Sequence, residues 1–150
     1  MKAFVLDCSV TMAWCFDDEF SSYAAAVQDR LSNHRAFVPA IWVFEVANVL
    51  AVGERRGRMT QDDSARFLAL LGRLPIEISP VETGGGIAPI LDSARTSGLS
   101  CYDAAYLDMA RRFGMPLATL DRKLPEAAAT VGVARFDPTA SVGPEEAMFP

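Results

Sequence analysis

The chain alternates short, almost wholly apolar runs with longer stretches in which apolar residues recur at helical spacing. The short runs predict strands that are buried on both faces, and the spaced stretches predict helices. The predicted strands are residues 2–6, 36–38, 76–81, 115–120 and 133–136. Helices are predicted over residues 23–31, 40–52, 87–96, 100–110 and 125–131. Two further helices are predicted to begin at Val10 and after Thr60. This order predicts a three-layer α/β/α domain with a mainly parallel central sheet.

Composition restricts the kind of domain. Residues 1–137 suffice for one domain with a sizeable core, whereas residues 138–150 are rich in Pro, Gly, Ser and Glu and predict a flexible or loosely docked tail. A net charge of −5 argues against a broad nucleic-acid-binding surface, although Arg55, Arg56 and Arg58 form a candidate phosphate-binding rim. No apolar stretch is long enough to predict a membrane span, and three cysteines without paired spacing fit a reducing, cytoplasmic location.

Two residue types that often carry catalysis have weak support. His34 is the only histidine and lies in a polar stretch, which predicts a position in a surface turn. Cys8 and Cys101 have apolar neighbours that predict buried side chains. Histidine-based acid–base chemistry and a zinc site are therefore disfavoured, and carboxylates become the candidates.

Glu45 lies in the middle of the most apolar predicted helix. Residues 40–52 are apolar on all sides except at Glu45 and Asn48, so the sequence predicts a core helix. Burying an unpaired carboxylate is costly even after relaxation. Protonation, an arginine partner or a metal ion would each offset that cost. Asn48 lies one turn further on and shares the face of Glu45.

Three aspartates occupy positions where parallel sheets place functional sites. Asp7 ends the first predicted strand, Asp121 ends the fourth, and Asp103 falls in the first turn of a helix that Ser100 caps. Two of them have a structural alternative: Asp7 can cap the following helix, and Ser100 with Asp103 resembles a capping box. The residues by themselves leave these alternatives open.

Four carboxylates gathered at one edge of a sheet would repel each other. A close pair costs about 4 kcal/mol at a separation of about 4 Å in surroundings of intermediate dielectric constant. Divalent cations relieve this repulsion, and an all-oxygen site selects Mg²⁺ or Mn²⁺ over zinc. Such sites serve phosphoryl or phosphodiester transfer, in which the metal binds a substrate oxygen and generates hydroxide from water.

The acidic positions lie in four short motifs. They are Val-Leu-Asp-Cys-Ser at Asp7, Phe-Glu-Val-Ala-Asn-Val-Leu at Glu45, Tyr-Asp-Ala-Ala-Tyr-Leu at Asp103 and Leu-Ala-Thr-Leu-Asp at Asp121. Together and in this order, the motifs resemble the PIN-domain ribonucleases, and their spacing is most similar to the VapC-type toxins of bacterial toxin–antitoxin pairs. The resemblance covers roughly residues 1–137 and does not account for the acidic tail that follows.

The resemblance implies a PIN-like fold, Mg²⁺- or Mn²⁺-dependent cleavage of RNA, a homodimer and inhibition by a cognate antitoxin protein. It also implies roles for individual residues. Asp7, Glu45, Asp103 and Asp121 would be the catalytic metal ligands, Ser9 and Thr119 would be hydroxyls near the metal or its water, and Asn48 would be a polar residue that accompanies the glutamate.

Two other classes of function stay open. A haloacid-dehalogenase-type phosphatase also begins with an aspartate at a strand end, but it usually carries a second aspartate two residues on, where this chain has Ser9. A catalytically inactive PIN-like binding module is the non-enzyme alternative. The four intact carboxylates argue against it.

Overall fold

A parallel sheet forms the centre of the fold. The computed structural model describes residues 2–79 and 86–140. The four strands are β1 (Lys2–Leu6), β2 (His34–Pro39), β3 (Ile76–Ser79) and β4 (Leu117–Ala118). They lie in the order β3-β2-β1-β4, and every pair is parallel. The predicted α/β architecture is confirmed.

Helices cover the sheet in the α/β/α arrangement. Within the described residues, the helices are α1 (Cys8–Cys15), a short 3₁₀ turn (Asp17–Glu19), α2 (Ser22–Arg30), α3 (Ile41–Arg55), α4 (Gln61–Arg73), α5 (Ile87–Ser97), α6 (Cys101–Phe113) and α7 (Lys123–Thr130). The hydroxyls of Ser21, Thr60 and Ser100 cap α2, α4 and α6, because each accepts a backbone N–H of the first turn. Gly98 and Gly114 end α5 and α6 in the left-handed conformation, which glycine adopts without a steric penalty.

The central strand β1 explains why the core forms here. Phe4, Val5 and Leu6 are fully buried, as expected of a parallel strand that is covered on both faces. β1 pairs with β2 on one side and with β4 on the other. Because parallel strands end at the same edge, the residues that follow β1 and β4 are brought together there.

The fifth predicted strand, residues 133–136, is reduced to a single bridge between Leu117 and Arg135. The N–H of Val133 donates to the carbonyl of Ala128 and so closes the end of α7. That N–H is therefore unavailable to a sheet, and the segment pairs only through Ala134 and Phe136, one on each side of the bridge. The end of the third predicted strand, residues 80–81, lies outside the described residues.

Helix α3 corrects the prediction of a helix buried on all sides. It buries one face through Trp42, Val46 and Leu50, whereas Phe44 on the other side is 71% exposed. The core covers one side of α3, so Val43 and Phe44 are exposed, while Ile41 and Val49 are partly buried against the core. The prediction that α3 packs on the core is therefore right, and the prediction that it is buried on all sides is wrong.

Two single-residue predictions are also wrong. His34 begins β2 and lies half-buried, with its ring 6.2 Å from that of Phe4 and 5.5 Å from that of Phe136. It sits at the amino-terminal end of β2, opposite the edge where Asp7 lies. Cys8 is buried as predicted, but Cys101 is exposed because it opens α6 at the surface.

The first residues of the predicted tail are docked. The guanidinium of Arg30 donates to the carbonyl of Pro138 at 2.5 Å and to that of Ala140 at 3.1 Å. Residues 141–150 lie outside the described residues, so the boundary at residue 137 stays a prediction. In the described part of the chain, no helix combines the length and the apolar character needed to cross a membrane.

Candidate active site

The two strand-end aspartates lie at the same edge of the sheet. Asp7 follows β1 directly, and its N–H donates to the carbonyl of Ala118 in β4 at 3.0 Å. Asp121 comes three residues after the end of β4. Helix α3 contributes Glu45, and the first turn of α6 contributes Asp103. This is the edge at which open parallel sheets place their sites.

The charges of these carboxylates act on one another. Burial raises the pKa of Asp7, and the charge of Asp121 raises it further. Burial likewise raises the pKa of Glu45, with added contributions from the charges of Asp7 and Asp103. The pKa of Asp103 is raised by burial first, then by Asp7 and Asp121. The structure therefore brings the four predicted side chains into one electrostatic neighbourhood.

The four carboxylates do not converge on one point. Across residues 2–79 and 86–140, no group of three or more His, Cys, Asp or Glu side chains is arranged closely enough to hold a metal ion. Their role as metal ligands therefore stays a prediction.

Two hydroxyls fix the carboxylate of Asp7. Ser9 Oγ donates to Asp7 Oδ2 at 2.5 Å, and Thr119 Oγ1 donates to the same oxygen at 2.9 Å. Each hydroxyl also accepts a backbone N–H after β4, from Leu120 for Ser9 and from Asp121 for Thr119. Hydrogen bonds to the charged form oppose the effect of burial on the pKa of Asp7. The predicted supporting hydroxyls thus position Asp7 and join the ends of β1 and β4.

The structural alternatives for Asp7 and Asp103 can now be judged. Asp7 stands at the N-cap of α1, but its side chain makes no capping hydrogen bond. The Ser100 hydroxyl accepts the N–H of Asp103 at 3.1 Å, while the reciprocal bond that would complete a capping box is absent from this described helix. Neither side chain completes a helix cap, although hydrogen bonds with the Cys8 backbone and the Ser100 side chain lower the pKa of Asp7 and of Asp103, respectively.

Asp121 differs from the other three. Its Oδ1 accepts the N–H of Lys123 at 2.8 Å, at the start of α7. One carboxylate oxygen therefore serves local structure. Asn48 is exposed on α3, and no hydrogen bond within the described residues joins it to the carboxylates.

Tyr106 is a site residue that the sequence analysis missed. Its hydroxyl donates to Glu45 Oε1 at 2.6 Å, across 61 positions of sequence. Burial raises the pKa of Tyr106, and the bond to Glu45 raises it further, so the phenol remains a donor. A signal for it existed, because Tyr106 lies three residues after Asp103 and thus on the same face of α6.

The candidate phosphate-binding rim is partly occupied. Arg58 pairs with Asp18 at 2.8 Å, and its guanidinium stacks on the ring of Phe16 at 3.7 Å from the ring centre. Arg55 and Arg56 are exposed at the end of α3. A second basic side chain, Lys123, lies close enough to the site that its charge lowers the pKa of Asp103 against the raising effects of burial and Asp7.

Comparison with known proteins identifies the class. The family model described as the PIN domain matches residues 4–129. Ribonuclease VapC3 of Pyrobaculum aerophilum is 31% identical over 123 residues, which are 81% of this chain and 92% of that protein. The chain belongs to the PIN domain family, as its four acidic motifs predicted. A haloacid-dehalogenase-type phosphatase is thereby set aside.

Solved structures agree with the fold. The crystal structure of PAE2754 from Pyrobaculum aerophilum superposes with a TM-score of 0.64 at 21% identity, covering 89% of this chain and 83% of that one. The crystal structure of FitAcB from Neisseria gonorrhoeae gives a TM-score of 0.51 at 21% identity, covering 90% of this chain and 97% of that one. At this level of identity the likeness establishes the fold alone.

Proposed function

We propose that this chain is a Mg²⁺- or Mn²⁺-dependent endoribonuclease that hydrolyses phosphodiester bonds in RNA and acts as the toxin of a toxin–antitoxin pair. The observation that carries the proposal is the gathering of Asp7, Glu45, Asp103 and Asp121 at one edge of the sheet, with the pKa values of the first three raised by burial and by their neighbours. Membership of the PIN domain family and the similarity to a VapC ribonuclease support the same activity.

The chemistry of the donor set fits a hard divalent cation. All four side chains offer oxygen, and no ion pair within the described residues engages any of them. Mg²⁺ commonly keeps several waters and binds through one or two carboxylates, so it does not require three to converge. Asp7, Glu45 and Asp103 would hold the ion, directly or through its bound waters, with Asp121 as the fourth acidic residue. A bound Mg²⁺ or Mn²⁺ would make water more acidic and withdraw charge from the phosphate.

The remaining residues of the site have supporting roles. Ser9 and Thr119 both donate to Oδ2 of Asp7, so its second oxygen is the one left to face a ligand. Lys123 is exposed beside Asp103 and offers a positive charge to an RNA phosphate. The family resemblance implies products with 5′-phosphate and 3′-hydroxyl ends.

An antitoxin and a second copy of the chain are the proposed protein partners. The carboxylates would pair bidentately with an arginine of the antitoxin, which can take the place of a cation. An apolar groove of about 530 Å³ between α3, α4 and β3 would take an apolar segment of a partner. Its apolar lining includes Trp42, Val46, Leu50, Leu68, Ile76 and Ile78. Exposed apolar side chains on α3 and α5, such as Phe44 and Ile87, support self-association.

Cleavage of a labelled single-stranded RNA by the purified protein tests the activity. The native protein should cut in Mg²⁺ or Mn²⁺ and stop in chelator. Asp7→Asn should abolish cleavage while the circular dichroism spectrum is retained, because the amide keeps an oxygen for Ser9 and Thr119 but lacks the charge. The matched control is Asp29→Asn, which changes an exposed aspartate near the end of α2, the helix that leads into the amino-terminal end of β2. It should cut like the native protein.

Three outcomes would contradict the proposal or its assignment of Asp7. Cleavage that continues in chelator would show that no divalent cation is needed. A folded native protein that binds RNA without cutting it in either metal would instead favour the inactive binding module. Native-rate cleavage by Asp7→Asn would remove Asp7 from the metal ligands.

A further inference from the structure

Tyr106 is the one tyrosine of α6 that points inward. Its side chain is 0% exposed, whereas Tyr102, one turn earlier on the same helix, is 60% exposed. A buried tyrosine needs a partner for its hydroxyl, and here the partner is a carboxylate rather than a backbone carbonyl. At 2.6 Å the bond is short, as expected when the acceptor is charged.

One face of helix α6 carries the carboxylate of Asp103 and contacts that of Glu45 through Tyr106. Asp103 and Tyr106 are three residues apart, so their side chains project from the same side of the helix. Asp103 enters the site directly, and Tyr106 reaches across to α3 to hold Oε1 of Glu45. Among residues 2–79 and 86–140, no hydrogen bond is donated to the second oxygen of Glu45, Oε2, so the described part of the chain leaves it available to another ligand. A single helix thereby sets the relation between Glu45 and Asp103.

We propose that Tyr106 is a positioning residue, whose hydroxyl holds Glu45 in the orientation in which its second oxygen binds the divalent cation. The inference rests on the proposed metal-dependent nuclease function. It adds a residue outside the four acids, acting through Glu45 and touching neither cation nor RNA. Partners of metal ligands fix the orientation of those ligands in the same manner.

Tyr106→Phe removes the hydroxyl and keeps the ring that fills the core. The variant should need about tenfold more Mn²⁺ than the native protein to reach half of the full metal-induced rise in melting temperature. Cleavage should show the same displacement in its metal dependence and recover at saturating Mn²⁺, because all four carboxylates remain. A purely structural role would lower the melting temperature equally with and without metal and leave the midpoint unchanged.

Two control variants separate positioning from general loss of a hydroxyl. Tyr102→Phe removes an exposed hydroxyl of the same helix. Ser93→Ala removes a hydroxyl that donates to Asp108, another carboxylate of α6, at 2.8 Å. Both controls should keep the native Mn²⁺ midpoint. In a Glu45→Gln background, Tyr106→Phe should cause no further change in that midpoint, since the group through which it acts has been altered.

A measurement on the native protein guards against a variant that fails to fold. The chain has three tyrosines, so labelling their Cζ carbons with ¹³C gives three resonances, which Tyr23→Phe and Tyr102→Phe assign by elimination. The resonance of Tyr106 should move on saturation with Mg²⁺, because its acceptor becomes a metal ligand. If it stays in place while Mg²⁺ raises the melting temperature, Tyr106 does not act on the ion through Glu45.

The outcomes distinguish this inference from the proposed function. If the native protein shows neither metal-induced stabilisation nor metal-dependent cleavage, the metal-dependent function fails, and the positioning role fails with it. If the native protein responds to metal but Tyr106→Phe has the native midpoint, only the positioning role fails. A raised midpoint in Tyr106→Phe, with native midpoints in both controls, supports it.

Discussion

Helices α4 and α6 begin with nearly the same sequence pattern and use it differently. Each has a hydroxyl residue at the N-cap and an aspartate three positions later: Thr60 with Asp63 in α4, and Ser100 with Asp103 in α6. In both, the cap hydroxyl accepts the N–H of the aspartate at 3.1 Å. Asp63 returns the bond, because its Oδ2 accepts the N–H of Thr60 at 2.9 Å, and the capping box is complete.

The pKa values of the two aspartates are shifted in opposite directions. Hydrogen bonds from the Thr60 backbone and hydroxyl hold the pKa of Asp63 below its ordinary value of 3.8. Burial first, and then the charges of Asp7 and Asp121, hold the pKa of Asp103 above the same value. The local pattern is shared, so the difference comes from what packs around each helix. The shared pattern at the helix N-terminus therefore does not by itself set the pKa of the aspartate, because burial and the neighbouring carboxylates decide it for Asp103.

The largest expected effect is on catalysis. Asp103→Asn should reduce the rate of RNA cleavage by at least about 100-fold, since even the partners of metal ligands are worth 10- to 100-fold. Asp63→Asn should leave the rate unchanged, because its carboxylate serves only its own helix. Initial rates at saturating Mn²⁺ measure both. Native-rate cleavage by Asp103→Asn would mean that the two aspartates have the same, structural role.

The layout of the fold was predictable because each strand is a short run of apolar residues between helical segments. Phe4, Val5 and Leu6 are all apolar, which predicts a strand buried on both faces, and all three are buried in the central strand. The exposed face of α3 was not predictable, since an apolar residue such as Phe44 favours burial but does not show which side of the helix packs on the core. The fifth strand does not form because the N–H of Val133 donates to the carbonyl of Ala128 in α7 and so cannot pair with the sheet.

The positions of the candidate site residues were predictable for a related reason. Asp7 and Asp121 follow strands, and parallel strands end at one edge of the sheet. Helical spacing placed Tyr106 on the face of Asp103, but its contact with Glu45 was not predictable, because that contact depends on how α6 packs relative to α3. The hydrogen bond that the N–H of Lys123 donates to Oδ1 of Asp121 is local, but the sequence pattern did not predict it.

The second-largest expected effect is on the melting temperature in the absence of metal. The change should differ in sign between a variant of α4 and a variant of α6. In chelator, Asp63→Asn should lower the melting temperature by about 1–4 °C, because α4 loses a charge that favours its N-terminus. Asp103→Asn loses a comparable helix contribution, about 0.3–1 kcal/mol, but also removes repulsion from Asp7 and Asp121. Its melting temperature should equal or exceed that of the native protein, and added Mg²⁺ should raise it less. A clearly lower value would favour a capping role for Asp103.

The smallest effect is a difference in pH dependence, measured as the free energy of unfolding by urea in chelator between pH 3 and 7. The lowered pKa of Asp63 means that its ionised form favours folding above about pH 3.8, and this contribution is lost as the pH falls through its folded pKa. Asp63→Asn should therefore differ most from the native protein near neutrality. The raised pKa of Asp103 has the opposite consequence, because its contribution is present below about pH 3.8 and is lost as the pH rises through its folded pKa. Asp103→Asn should accordingly gain stability relative to the native protein as the pH rises from about 4 towards 7. If the unfolding free energies of both variants change with pH in the same direction relative to the native protein, burial and the neighbouring carboxylates do not raise the pKa of Asp103.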